Sequence, residues 1–140
     1  VRMEFFRLNL TGLVRYRGQE GQLSFILHRL SGLGTLLFLA IHILDTSTVY
    51  FFPSLYEHAI AIYRSTPFML GEIVLVFLVI YHGINGARIA ILDIYAPNKW
   101  TIATQKKTTI WSLILAILLW LPAAFLMGRS LLIHNFGLLS

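Results

Sequence analysis

Serine, histidine and arginine set into apolar sequence are the residues here with chemistry to offer. Ser24-Phe25-Ile26-Leu27-His28-Arg29-Leu30-Ser31-Gly32 stands at the mouth of a largely apolar run that continues to Leu44. Placing an arginine or a histidine in hydrocarbon costs a few kcal/mol each on insertion scales, about 2.5–3.5 for arginine. Something must offset that cost: a buried ligand, a proton path or the carboxylate of a cofactor. At roughly 100° per residue, Ser24, His28, Ser31, Thr35 and His42 fall within a stripe about 60° wide. One face of this helix is therefore polar along most of its length and requires a partner other than lipid.

A second cluster is Tyr81-His82-Gly83-Ile84-Asn85-Gly86-Ala87-Arg88-Ile89-Ala90-Ile91-Leu92-Asp93. Counted back from Ile94 at 1.5 Å per residue, His82 lies roughly 18 Å inside its helix, near mid-membrane. Gly86, one turn on, has no side chain and admits a flat macrocycle or another backbone. A mid-membrane imidazole beside a glycine suits an axial haem ligand; it equally suits a histidine hydrogen-bonded to a neighbouring helix. His28, Arg29 and Arg88 fall at one depth, toward the cytoplasmic end, where a guanidinium pairs with an anionic propionate in bidentate fashion. Snorkelling to headgroups is the alternative for Arg88, and a partner surface a third, since it points roughly 120° away from His82.

These residues must be positioned by membrane helices. The chain has 140 residues, 57% hydrophobic and 12% charged, about half the charged fraction of a soluble domain. Segments of about 23–49, 68–94 and 108–132 each exceed the roughly 20 residues a bilayer crossing needs. The expected fold is an all-α membrane protein, a bundle of three transmembrane helices forming one membrane-anchor domain over residues 1–140. Between the first two spans, Ser54 followed by Glu57 reads as a capping box opening a short amphipathic helix at the membrane surface. Residues 1–21, with Arg2, Arg7, Arg15 and Arg17 among Phe5, Phe6, Leu8 and Leu10, read as a basic interfacial arm rather than a secretory signal, broken from the first span by Gly18-Gln19-Glu20-Gly21. Trp111, Trp120, Pro122 and Gly128 on the third span read as packing and a kink, and that helix as poor in buried polar groups.

The net charge of +5 belongs to loops. The basic residues of the arm and Lys99, Lys106 and Lys107 fall on one side of the membrane, against Arg64 and Arg129 on the other. The bias places the N-terminus in the cytoplasm and leaves a positive rim for an extrinsic partner. No basic patch interleaved with aromatics suggests nucleic acid. The absence of cysteine excludes disulfides, thiolate zinc and iron–sulfur ligation within this chain.

With both clusters in view, Ser24 to Gly32 resembles the S-x-x-x-H-R-x-[ST]-G motif of the succinate dehydrogenase cytochrome b subunits, the larger membrane anchors of respiratory complex II. His82 to Asp93 resembles the family's H-x-x-x-G-x-R-H-x-x-x-D motif, with Ile89 where the family has its second histidine. Order, spacing and the three-span layout agree over roughly residues 20–132. The resemblance implies a haem b held between this chain and a second small membrane-anchor subunit, with His82 as one axial ligand. It implies an iron–sulfur subunit and a flavoprotein subunit on the cytoplasmic side, and ubiquinone or menaquinone as electron acceptor in the cytoplasmic membrane. By motif, Ser24 and Arg29 line the quinone site and His28 lies near a haem propionate, with Arg88 and Gly86 in the haem pocket. Asp93 becomes a candidate proton relay, or an ordinary helix-end carboxylate. His42 is a candidate ligand for a second, outer haem, or a partner of Asp45 or Glu72. Two other classes stay open: the cytochrome b anchor of a different respiratory dehydrogenase, which would bring paired histidines of its own, and a non-redox membrane transport subunit, for which three spans without repeat symmetry are few.

Overall fold

The computed structural model describes residues 20–138. The basic arm, with Arg2, Arg7, Arg15 and Arg17, lies outside the described residues. Four helices follow in order: α1 Glu20–Phe51, α2 Pro53–Tyr63, α3 Thr66–Tyr95 and α4 Ile102–Phe136, with a single 3-10 turn at Pro97–Lys99 before α4. The segments Gly21–Phe51, Thr66–Tyr95 and Ile102–Phe136 are long and apolar enough to cross a membrane. At 1.5 Å per residue they run about 45–52 Å, against a hydrocarbon core of about 30 Å, so their ends extend into the interfaces. α2 is the short helix expected between the first and second spans.

The helix boundaries have local causes, and several differ from expectation. α1 includes Glu20 and Gly21, so the glycine there does not interrupt it. α2 is opened by Pro53 at its first position, with no side-chain cap at Phe52. The capping box read at Ser54 and Glu57 does not form, because proline's fixed φ starts the helix one residue earlier. α4 begins at Ile102, several residues before the apolar stretch, because the Thr101 hydroxyl accepts the Thr104 amide at 3.2 Å and caps it. It continues as one helix through Pro122. It ends at Gly137 with φ 63°, where the Gly137 and Leu138 amides both reach back to the Leu132 carbonyl oxygen, the latter at 3.0 Å, a left-handed end that glycine permits.

α3 is the central helix, packed along α4 and along α1, while α1 and α4 meet over a shorter stretch. The bundle is inverted relative to a soluble protein. Ser24, Ser31, Asn85, Thr109 and Ser112 are buried, whereas Leu33, Leu36, Leu118 and Phe125 are each more than half exposed. Lipid is as apolar as leucine, so helix association rests on close packing of small residues and on polar contacts. Gly34 shows the closeness: a β-carbon there would lie 2.8 Å from Cδ1 of Leu78. At the end remote from Ser24, the Tyr63 hydroxyl donates to the Asp45 carboxylate, tying α2 to α1. Asn135 Nδ2 donates to Thr66 Oγ1 at 2.9 Å, tying α4 to the start of α3. Trp120 does pack as expected, its indole N–H meeting the Ile73 carbonyl oxygen at 2.9 Å, while Trp111 is exposed.

Candidate functional site

Two adjacent polar groups fill the interface of α1, α3 and α4 toward the end where α1 begins. The first is an imidazole pair. His28 and His82 stack with centroids 4.2 Å apart and planes 7° from parallel. His82 Nδ1 lies 3.1 Å from the His28 carbonyl oxygen and 3.3 Å from Ser31 Oγ. A carbonyl only accepts, so Nδ1 carries the hydrogen. The Ser31 hydroxyl gives its own proton to the same carbonyl at 2.9 Å, which leaves its oxygen to accept from Nδ1. This arrangement fixes the ring and its tautomer and leaves the lone pair on Nε2, the state in which a histidine ligates iron.

Gly32 makes room for that ring. A β-carbon at Gly32 would lie 2.7 Å from Cε1 of His82, closer than such atoms approach. The group over Gly86 is the His28 imidazole, and a β-carbon would meet its Cε1 at 3.5 Å, an ordinary contact. Gly32→Ala should therefore displace His82, with overpacking worth about 1–3 kcal/mol. Gly83→Ala, in open space, is the matched control. Thermal melting of the purified protein together with an imidazole-sensitive spectrum separates the two; equal behaviour of both variants would refute the contact.

The second group surrounds Ser24. Its hydroxyl donates to Asn85 Oδ1 at 3.2 Å, lies 3.4 Å from the Tyr81 hydroxyl, and is 3.5 Å from Nη2 of Arg88. Arg88 Nη1 donates to Thr109 Oγ1 and, at 3.3 and 3.4 Å, to Gln105 Oε1 and Thr108 Oγ1. Snorkelling is thus not what Arg88 does: it turns inward, between α1 and α4. It reaches Ser24 Oγ at 3.5 Å. The described residues still hold unpartnered buried nitrogens here: Asn85 Nδ2, Arg88 Nε and Gln105 Nε2, with His28 Nδ1 alongside. A buried donor without an acceptor costs about 1–3 kcal/mol, so the cluster is built to meet acceptor oxygens.

The remaining candidates are elsewhere. Arg29 is exposed on α1, its guanidinium 4.4 Å over the Phe25 ring; five positions from Ser24 turn it roughly 140° away. Asp93 is exposed near the end of α3. His42 is exposed, its ring 5.3 Å from that of Phe38, and Asp45 is engaged by Tyr63 instead of by His42. His58 and His134 are exposed. Among the described residues no three His, Cys, Asp or Glu side chains come together as a metal site.

Tyr81, Asn85 and the α4 residues Gln105, Thr108, Thr109 and Ser112 were not singled out from the sequence. The signal was present. Tyr81, Asn85 and Arg88 follow an i, i+4, i+7 spacing, as do Gln105, Thr109 and Ser112, each marking one polar helix face. The expectation that the third span carries few buried polar groups is corrected by Thr109 and Ser112, both buried.

Residues 9–128 match the family model described as succinate dehydrogenase/fumarate reductase transmembrane subunit. The chain is 29% identical over 120 residues, 85% of each chain, to a Mycobacterium tuberculosis (strain ATCC 25618 / H37Rv) protein named succinate dehydrogenase 2 membrane subunit SdhC.

Proposed function

This chain belongs to the succinate dehydrogenase/fumarate reductase transmembrane subunit family, and we propose that it is the haem b- and quinone-binding membrane anchor of a succinate:quinone oxidoreductase. Its partners in this reading are a second small membrane-anchor subunit, an iron–sulfur subunit and a flavoprotein subunit. The observation that carries the reading is the state of His82: a half-buried imidazole deep in the central helix, its Nδ1–H committed to the His28 carbonyl oxygen and Ser31. That donor set fits a haem: His82 would hold its iron through Nε2, with a second ligand supplied by the second anchor subunit. When bound, the haem supplies a one-electron redox centre within the membrane.

The rest of the chemistry belongs to side chains. Ser24, buried beside Asn85, Tyr81 and Arg88, offers a polar contact to a quinone oxygen near the cytoplasmic end. Donors held in place before reaction stabilise charge as it develops. Position near that end gives the bound headgroup access to aqueous protons, with Asp93, exposed nearby, as a relay candidate. Arg29, facing outward over Phe25, is placed to meet the quinone or haem propionates at the boundary with a partner subunit. His28 covers one face of His82 and keeps an unpartnered Nδ1 for a propionate. His42 stays a candidate for an outer haem only if a partner supplies the opposing ligand.

Purification of the complex through a tag on this chain tests the reading. Flavoprotein and iron–sulfur subunits should accompany it, and dithionite-reduced minus oxidised absorbance should show a low-spin b-type haem. Recovery of the tagged chain as a lone transporter-like species without haem would refute it. The positive-inside bias further places the N-terminus and the Lys99–Lys107 connection in the cytoplasm. A cysteine introduced at Asn98 should resist an impermeant thiol reagent in intact cells and react in inverted vesicles; the opposite pattern would reverse the topology.

A further inference from the structure

We propose that a helix of the second anchor subunit seats between the halves of α1 and α3 nearest α2 and is held there by His42; this rests on the reading of the chain as one of a pair of membrane anchors. Nearer Ser24 the two helices touch. Ser31 Oγ lies 3.3 Å from His82 Nδ1, and a β-carbon at Gly34 would lie 2.8 Å from Leu78 Cδ1. Eleven residues make about three turns, so the same faces return at His42, eleven after Ser31, and at Gly71, eleven before His82. Both are exposed, and a β-carbon at Gly71 would meet nothing within 4 Å. Every α1 residue from 36 to 44 is exposed; such a run circles the helix about two and a half times, so no side of α1 is covered there. The helices are joined again toward α2 through Tyr63, whose hydroxyl donates to Asp45 and whose ring centroid is 5.6 Å from that of Phe68. A slot is left between α1 and α3, bounded at both ends and about 16 Å tall from Gly34 to Asp45 at 1.5 Å per residue.

The lining of the slot selects its occupant. An acyl chain or a quinone's isoprenoid tail offers no hydrogen bond, and an ionisable side chain within a span is costly against either. The His42 ring has the Phe38 ring beside it, 5.3 Å away and 21° from parallel, and its nitrogens have no hydrogen-bond partner among the described residues. The occupant therefore carries a polar side chain at the depth of His42. Gly71, at a similar level on α3, lets a second backbone approach closely, as small residues do at helix contacts in membranes. The slot starts about one turn beyond the Ser31–His82 contact. A helix seated in it runs on toward His82, whose opposing ligand the second anchor subunit supplies in the proposed pairing. That continuity favours the second anchor subunit over a second copy of this chain.

The chain has no cysteine, so single cysteines can be introduced in the intact complex, labelled in native membranes with a photoreactive benzophenone maleimide, and their adducts identified by mass spectrometry. Phe38→Cys and Gly71→Cys should cross-link the second anchor subunit. Leu118→Cys and Phe125→Cys, exposed on α4, should mark lipid. His42→Leu should lower the second anchor subunit retained by the tagged chain in detergent about three- to ten-fold, the size of an interhelical hydrogen bond in a membrane. His42→Gln should restore part of it. Should His42→Leu fail to accumulate, the cross-links from Phe38→Cys and Gly71→Cys decide. Adducts of those two cysteines with lipid alone, or with a second copy of this chain, overturn the proposal, as does wild-type retention in His42→Leu. Loss of a second low-spin haem in His42→Leu also overturns it, by assigning His42 to iron. If the unsubstituted tagged chain brings down no second anchor subunit, the pairing on which the proposal rests fails instead.

Discussion

Substitution of His82 by alanine is expected to abolish the low-spin haem spectrum of the complex, or convert it to a five-coordinate one, while succinate oxidation by an artificial acceptor persists. No other imidazole among the described residues can take over. His28 lies flat against His82 with its ring over Gly86. His42 is some 14 residues farther along α1, roughly 21 Å away. The effect should extend outward from the ligand in a graded way. Ser31→Ala keeps the His82 imidazole but removes one of the two groups that hold its Nδ1–H. Loss of such an outer hydrogen bond typically costs about 10–100-fold in affinity at a metal centre. Haem content against added haem, with the position of the α band, measures both. A full complement of unchanged low-spin haem in His82→Ala would remove the ligand assignment.

Ser24→Ala should show the complementary pattern, with quinone reduction lowered and haem retained. A contact strengthened by developing charge is worth about 1.5–3 kcal/mol, or about ten- to a hundred-fold in rate. The substitution also strips Asn85 Oδ1 of its donor and Arg88 Nη2 of an acceptor, so part of the loss comes through their rearrangement. Ser24→Thr keeps the hydroxyl and should recover a share of the activity, which separates the chemical role from a packing role. The haem spectrum of Ser24→Ala should match the parent, since the serine hydrogen-bonds to neither imidazole. Wild-type turnover with natural quinone in Ser24→Ala would move the quinone site elsewhere.

What the sequence made legible and what it hid have physical reasons. The three spans were readable because hydrocarbon demands long apolar runs, and the motif residues because ionisable groups inside such runs are conspicuous. The helix ends were not. α4 starts at Ile102 because Thr101 caps it, while hydropathy marks the hydrocarbon boundary some turns later. The capping box at Ser54 lost to Pro53, since two start signals one residue apart cannot both set the first turn. The polar stripe on α1 did turn inward at Ser24, His28, Ser31 and Thr35, but not at His42. Arg88 was misjudged because its angle from His82 was reckoned without α4. The threonines that receive it are helix-tolerated, weakly polar residues, and each hydroxyl can also bond its own helix, as Thr108 does to the Thr104 carbonyl oxygen. Arg29 and Ser24 share a motif yet face apart, because adjacency in sequence says little about adjacency across a helix.

The most direct measurement is succinate-driven reduction in the complex purified through this chain. Adding succinate to the oxidised complex, then a short-chain quinone, should raise the haem b α band and produce quinol in proportion to succinate consumed. Both should vanish with a competitive inhibitor of succinate oxidation. A complex that oxidises succinate with an artificial acceptor but contains no haem and forms no quinol would contradict the role assigned to this chain.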